Sequence, residues 1–271
     1  MSRPPATVVL TRPQGKNQAL QLRFEQAGLR TVVLPALTLQ RIAMSDSAPD
    51  PAAFDLVFFV SGFAADCFFD LLAEQGMHWP QGQHAGCVGP GTGQALQRRG
   101  VAQQHILYPA CNQPHDSSGF LARLKDSALF ATLRSVLLVC GAGGNPWLAR
   151  QLQALSIDVT RLPLYTRQAR QWDARQQRQM RTLFADPAEK KYVVLTSPQG
   201  IQAFVDNLLA AQINADALAQ STTFVVTHAG QGDSLRQAWQ QKLPRASAGA
   251  LRIAQALPRD DAIFHTVTIS D

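Results

Sequence analysis

Short apolar runs rich in Val, Leu and Phe alternate along the chain with stretches whose apolar residues recur at helical spacing, the pattern of a parallel sheet covered on both faces. "TVVLTR", starting at Thr7, predicts a strand. "NQALQLRFEQAG" after it predicts a helix, with Leu20, Phe24 and Ala27 on one stripe and Gly28 at the stop. "RTVVLPALTL" is a second strand. The alternation continues with "FDLVFFVS" and the helix "AADCFFDLLAEQG", then "HAGCVG" and the helix "GTGQALQRRG". The predicted class is α/β.

The pattern also repeats. Residues 7–38 lie over residues 135–166 without a gap, pairing Leu20 with Leu148, Leu34 with Leu162, Pro35 with Pro163 and Thr38 with Thr166 at an offset of 128. Further along, Ser61 pairs with Ser197 and Phe68 with Phe204 at an offset of 136, and Leu96 with Leu235, more weakly, at 139. Each copy has strand, glycine or hydroxyl turn, and helix in the same order. Two similar α/β lobes facing one another across a cleft are the simplest expectation. Pro35 and Pro163 mark places where a strand lies at a sheet edge or leaves one lobe for the other.

Composition narrows the classes. With 271 residues, 46% of them apolar and 16% charged, the chain has length for two medium domains and no disordered character. No apolar run is long enough for a membrane span, and Met1–Pro5 leads into Thr7 without the apolar core of a secretory signal, so a cytoplasmic address is expected. Cys67, Cys87, Cys111 and Cys140 are far apart, which predicts reduced thiols and excludes a zinc module or disulfide scaffold. The net charge of +6 is dispersed and aromatic residues are only 7%, so nucleic acid is not an expected partner, whereas an acidic small molecule is compatible.

In parallel sheets, ligands gather at the carboxyl ends of strands, where helix N-termini present free amides to anions. Five such turns stand out: Thr11-Arg12-Pro13, Ser61-Gly62, Gly89-Pro90-Gly91-Thr92, Gly141-Ala142-Gly143-Gly144 and Thr196-Ser197-Pro198. Taken singly, each hydroxyl is an ordinary helix cap. Their recurrence in both copies points to anion cradles.

Other chemistries fall away. In "SVLLVCGAGGNPWLARQL" the third glycine of a dinucleotide fingerprint is replaced by Pro146, and Gly15-Lys16 lacks the rest of a Walker motif. No G-x-S-x-G elbow occurs. His78, His84, His105 and His115 read as surface groups, and a proline between Cys111 and His115 stops a helix from aligning them on a metal. Asp55 and Asp158 read as solvated caps on the edge away from the turns. Tyr165, one of three tyrosines, ends the strand that joins the lobes. It is either a half-buried strand aromatic or a functional hydroxyl beside the cleft.

The order and spacing of "VLTRP", "FDLVFFVS", "VGPGT", "LPLYTR" and "VVLTSPQGIQAF" resemble those of the uroporphyrinogen-III synthase family over essentially the full chain. The resemblance implies two lobes joined by a pair of strands, residues 1–38 with 168–271 forming one and residues 39–167 the other. It implies cyclisation of hydroxymethylbilane to uroporphyrinogen III, with inversion of the last pyrrole ring and loss of water, and with no cofactor or metal. The partner would be a linear tetrapyrrole carrying eight carboxylates, bound by a monomer. Tyr165 matches the tyrosine thought to assist departure of the hydroxyl. Arg12, Ser61, Gly89, Thr92, Gly141 and Ser197 match positions lining the cleft.

Three places depart from the family pattern. Cys140-Gly141 stands where the family has Arg-Gly, Phe63-Ala64-Ala65 where it has Asn-Ala-Val, and Thr227-His228-Ala229-Gly230-Gln231 where it has a glycine-proline-threonine turn; His228 is the substitute donor there. Two other readings compete with the synthase: a non-catalytic two-lobe binder of an anionic ligand, and a nucleotide enzyme built on the Gly141 turn.

Overall fold

The computed structural model describes residues 6–44, 47–110, 113–243 and 248–269. Cys111 and residues 1–5 lie outside them. In chain order the elements are β1 (Thr7–Leu10), α1 (Gln18–Gln26), β2 (Arg30–Val33), β3 (Leu37–Arg41), β4 (Leu56–Phe59), α2 (Gly62–Glu74), β5 (Ala85–Cys87), α3 (Pro90–Arg98), β6 (Ile106–Leu107) and α4 (Ser117–Lys125). They continue with β7 (Ser135–Gly141), α5 (Trp147–Ala154), β8 (Asp158–Ala169), α6 (Ala174–Ala185), β9 (Lys191–Leu195), α7 (Pro198–Ala210), α8 (Ala215–Ser221), β10 (Thr222–Val226), α9 (Ala229–Lys242), β11 (Arg252–Gln255) and α10 (Asp260–Ile269).

The chain divides into two compact units, Met1–Thr38 with Gln168–Asp271, and Leu39–Arg167. It passes between them twice, once within β3 and once within β8. The first unit holds a five-stranded sheet in the order β11-β10-β9-β1-β2, and all its pairings are parallel. The second holds a six-stranded sheet in the order β3-β8-β7-β4-β5-β6. Its strands from β8 to β6 pair in parallel, and β3 beside β8 makes the sheet mixed.

The repeat is visible in the strand order. Offsets of 128 and 136 carry β1 onto β7, β2 onto β8 and β4 onto β9, and α2 (62–74) falls on α7 (198–210) end for end. Replacing each strand of the first sheet by its counterpart turns β11-β10-β9-β1-β2 into β6-β5-β4-β7-β8, the order seen in the second. Each sheet therefore combines the opening strand-helix-strand of one copy with the remainder of the other.

Alternation of side chains explains why both faces are covered. In β4, Val57 and Phe59 join one core while Leu56 and Phe58 join another, and in β7 Leu137 and Val139 oppose Val136 and Leu138 in the same way. In the first unit Val193 and Leu195 face one layer, and Tyr192 and Val194 the other. The edge strands β2 and β11 are largely exposed or half-buried, as strands with one paired side are.

The amino edges of the sheets are pinned by polar groups. Asp55 accepts hydrogen bonds from the amides of Arg134 and Ser135 at 2.7 and 2.9 Å and from the Ser135 hydroxyl at 3.2 Å, so it is a tether between β4 and β7 and not a freely solvated cap. At the corresponding place in the first sheet, the Thr7 hydroxyl donates to Glu189 at 2.5 Å, and the buried Lys191 amine is held by the carbonyls of Asp186 and Glu189. His84 and His105, expected at the surface, are half-buried and meet edge to face at 5.4 Å, because β5 and β6 bring their leading loops together.

Partial burial pushes the Asp55 carboxyl upward, but the three donors outweigh it and hold it below its ordinary value. A depressed carboxylate stabilises the fold above its ordinary range, and that contribution disappears as pH falls through the folded value. Asp55→Ala is expected to cost about 1 kcal/mol near neutrality, a small figure because the group is exposed. Thermal melts from pH 7 down to about 3 should show the variant's deficit shrinking with acidity.

Candidate functional site

Parallel register decides which turns come together. Phe59 of β4 is paired with Cys87 of β5 on one side and with Val139 of β7 on the other. Ser61, Gly89 and Gly141 each lie two residues beyond that row, so they share the carboxyl edge of the second sheet. The β7–β8 register then shifts at Cys140/Gly141, a bulge that sets Tyr165 opposite Gly141, and the Ala142 amide donates to the Tyr165 carbonyl at 2.7 Å. In the first sheet, Leu10 pairs with Val194 and Val194 with Val225, which places Arg12, Ser197 and His228 along the corresponding edge.

Tyr165 is 1% exposed, more deeply covered than a half-buried strand aromatic. Its ring lies against residue 141. A Cβ at Gly141 would sit 2.8 Å from Cε2 and Cζ and 3.2 Å from the hydroxyl oxygen, inside contact distance, so only glycine admits the ring. Phe63 closes another side edge-on, with ring centres 5.1 Å apart and planes at 90°. The Tyr165 hydroxyl is 3.3 Å from Ser61 Oγ. Ser61 is half-buried and caps α2, accepting from the Ala64 amide at 3.2 Å.

The other predicted residues are distributed as follows. Gly89 precedes α3 in extended conformation, and Thr92, 9% exposed, lies in that helix's first turn with its amide donating to the Gly89 carbonyl. Ser197 caps α7 through the Gly200 amide at 3.1 Å, as Ser61 caps α2. His228 is exposed and makes no side-chain cap, leaving the start of α9 open, while Gln231 folds back to take the Thr227 amide and hydroxyl at 2.8 and 3.2 Å. Arg12 is already engaged. Its guanidinium meets Asp260 of α10 at 2.6 Å, a pairing over a long sequence separation that no local pattern announces.

Several donors of the glycine turn after β7 are already used or missing. The Gly144 amide is taken by the Gly141 carbonyl, Pro146 has no amide hydrogen, and Asn145 Oδ1 takes the Trp147 amide at 3.0 Å. A residue missed in the sequence supplies charge there. Arg161, on β8 opposite Leu138, reaches the turn with Nη2 3.4 Å from the Gly144 carbonyl and 3.9 Å from Cys140 Sγ. It is exposed, and among the described residues no ion pair involves it. Strand pairing was the signal: Arg161 is the counterpart of Val33 in the repeat, and only the register puts it beside residue 140.

The three described cysteines are buried and held as thiols. Burial pushes Cys67 and Cys87 up to about 11, and it raises Cys140 against the opposing charge of Arg161. Among the described residues no cluster of three or more metal-ligating side chains occurs, and no helix is long and apolar enough to cross a membrane.

Residues 18–252 match the family model described as uroporphyrinogen-III synthase HemD. The chain belongs to the uroporphyrinogen-III synthase family. Two solved structures share its fold. The uroporphyrinogen-III synthetase from Helicobacter pylori is 14% identical, with a TM-score of 0.55 over 98% of this chain and 100% of that one. A mutant uroporphyrinogen III synthase from the extreme thermophile Thermus thermophilus is 12% identical, with a TM-score of 0.52 over 98% of both chains. Family membership makes the protein a cyclising lyase of porphyrin and haem biosynthesis. Arg161 brings a positive charge to the glycine turn beside Cys140, and Phe63 forms a wall for Tyr165.

Two expectations follow from this geometry. Gly141→Ala should displace the Tyr165 ring and cost about 1–3 kcal/mol in denaturant unfolding, with activity falling alongside. Native protein treated with an alkylating reagent near neutral pH should keep Cys67, Cys87 and Cys140 unmodified in peptide mass maps, whereas unfolded protein reacts at all three.

Proposed function

We propose that ring closure takes place at the carboxyl edge of the second sheet and that Ser61, backed by Tyr165, assists departure of the substrate hydroxyl. The observation that carries this reading is the 3.3 Å contact between the two hydroxyls. A serine oxygen has two acceptor sites and one proton. In this reading the Tyr165 hydroxyl donates to Ser61, the Ala64 amide fills the other acceptor site, and the Ser61 proton is left for the substrate. Tyr165, being buried, acts through Ser61 as a positioning residue.

The chemistry asked of these groups is modest. The terminal hydroxyl of hydroxymethylbilane takes a proton and leaves as water, the adjoining pyrrole nitrogen supplies the electron pair, and the resulting cation is attacked by the far ring. Closure through a spiro intermediate and loss of a proton restores neutrality. The protein's larger task is to hold the ends of a flexible polyanion together. The first turn of α3 at Gly89, the Arg161 guanidinium, and in the first unit the Ser197 and His228 turns are suited to the substrate's carboxylates.

The test is incubation with freshly made hydroxymethylbilane, separating the type III from the type I product. Wild type should give type III; type I alone, the product of unassisted closure, would refute the reading. Ser61→Ala should slow type III formation by roughly 10- to 100-fold. Tyr165→Phe should slow it by about tenfold while losing about 1 kcal/mol of stability, the value of one hydrogen bond. Full turnover in Ser61→Ala would return that serine to a helix cap and nothing more.

A further inference from the structure

The segment that leaves Tyr165 and enters the first unit is rich in arginine. Arg167, Arg170, Arg175, Arg178 and Arg181 fall within residues 167–185, where the single acid is Asp173. Asp173 is committed as the cap of α6, accepting from the Gln176 amide at 2.8 Å in a reciprocal capping box. Helix α6 buries Met180, Leu183 and Phe184, and Arg175, Arg178 and Arg181, three residues apart, lie exposed on its opposite side. They span about 9 Å along the helix axis. Among the described residues none of the five makes an ion pair. An exposed helix face ordinarily mixes both signs, and this one carries only one.

Backbone bonds fix where the row begins. The Arg170 amide donates to the Ala36 carbonyl at 2.9 Å, and the Ala36 amide to the Thr11 carbonyl at 2.9 Å, so Arg170 stands beside the turn after β1 at the carboxyl edge of the first sheet. Asn207 clamps the approach to α6, donating to the Arg170 and Ala203 carbonyls and accepting from the Trp172 amide at 2.7 Å. Since α6 is followed by β9, which starts at the amino edge, the helix runs away from the carboxyl edge. Arg170, Arg175, Arg178 and Arg181 form a cationic track that ends at the carboxyl edge of the first sheet.

We propose that this track is an electrostatic landing surface for a linear polycarboxylate, capturing it from solution and passing it to that edge. The inference rests on the cyclase reading above for the identity of the polyanion. Charges of one sign leading to a site raise the encounter rate and leave the chemical step alone. The task needs no fixed contact, which fits side chains that no ion pair holds still.

The experiment is the rate of type III formation at substrate levels well below KM, and separately at saturation, as ionic strength rises from low salt to about 0.15 M, where screening sets in within about 8 Å. Wild-type kcat/KM should fall with salt. Arg175→Gln/Arg178→Gln/Arg181→Gln should start roughly tenfold lower at low salt, show a flatter salt slope, and keep kcat. Because Arg181 also bonds the Ala211 carbonyl at 3.3 Å, the double variant Arg175→Gln/Arg178→Gln guards against a folding defect and should show an intermediate slope. The corresponding lysine variants should restore the wild-type slope. An unchanged slope in an active, folded variant would overturn the track while leaving the cyclase reading intact; loss of kcat with the slope preserved would also overturn it. If wild type itself makes no type III product, the cyclase reading fails first. Binding of a DNA duplex that the variants abolish, with substrate kinetics unaltered, would assign the arginines to a different partner and refute the proposal.

Discussion

Everything at the candidate site depends on hydrogen-bonded register between parallel strands. Pairing Phe59 with both Cys87 and Val139 brings three turns, separated by dozens of residues in the chain, to one edge within a strand spacing or two of each other. The bulge at Cys140/Gly141 then sets Tyr165 beside one of them. A slip of one residue in β7 would turn its apolar set to the wrong faces and carry Gly141 away from the ring it must admit. The cores on either side of the sheet, which fix the alternation, thereby also fix the chemistry.

Much of the fold was legible because its rules are local. Strand and helix periods, the serine caps at Ser61 and Ser197, and the repeated offsets all depend on residues close in sequence, and α2 and α7 matched end for end. Long-range pairings were not legible. Nothing near Arg12 points to Asp260, and nothing near Arg161 points to residue 140, because each contact is made by strands or helices whose adjacency is a property of the sheet order. Tyr165 shows the division clearly. Its place in the strand that passes between the units was readable, but β8 runs on to Ala169 instead of ending at Tyr165, and the depth of the ring follows from Gly141 and Phe63 against it, neither of which borders it in the chain. The polar tethers at the amino edges are hidden for the same reason, since Asp55 reads as a solvated cap without the adjacency of β7 and β4.

The two units carry similar edges but not equal ones. In the second, a serine hydroxyl and a glycine meet a buried tyrosine, and a guanidinium stands at the neighbouring glycine turn. In the first, Arg12 is neutralised by Asp260, and Gln231 occupies part of the α9 turn, leaving Ser197 and His228 as the available donors. Both units carry a serine-capped helix at this edge, and among the described residues only the second sets a tyrosine hydroxyl against its serine. Phe63 is part of that difference, for its counterpart in the repeat is Gln199. A polar side chain there could reach for a ligand, whereas the aromatic ring gives that up to hold Tyr165 in place.

The exchange of opening segments between the two sheets has a bearing on how the chain is made. Strand β1 is interior to its sheet, flanked by β2 and by β9, and its partner β9 begins only at Lys191. While the ribosome is still adding the last third, β1 and β2 have no sheet to join, yet β4 through β8 can already pair among themselves. The unit built from the middle of the polypeptide is thus free to form first, and the N-terminal segment must wait, exposed, for its distant complement.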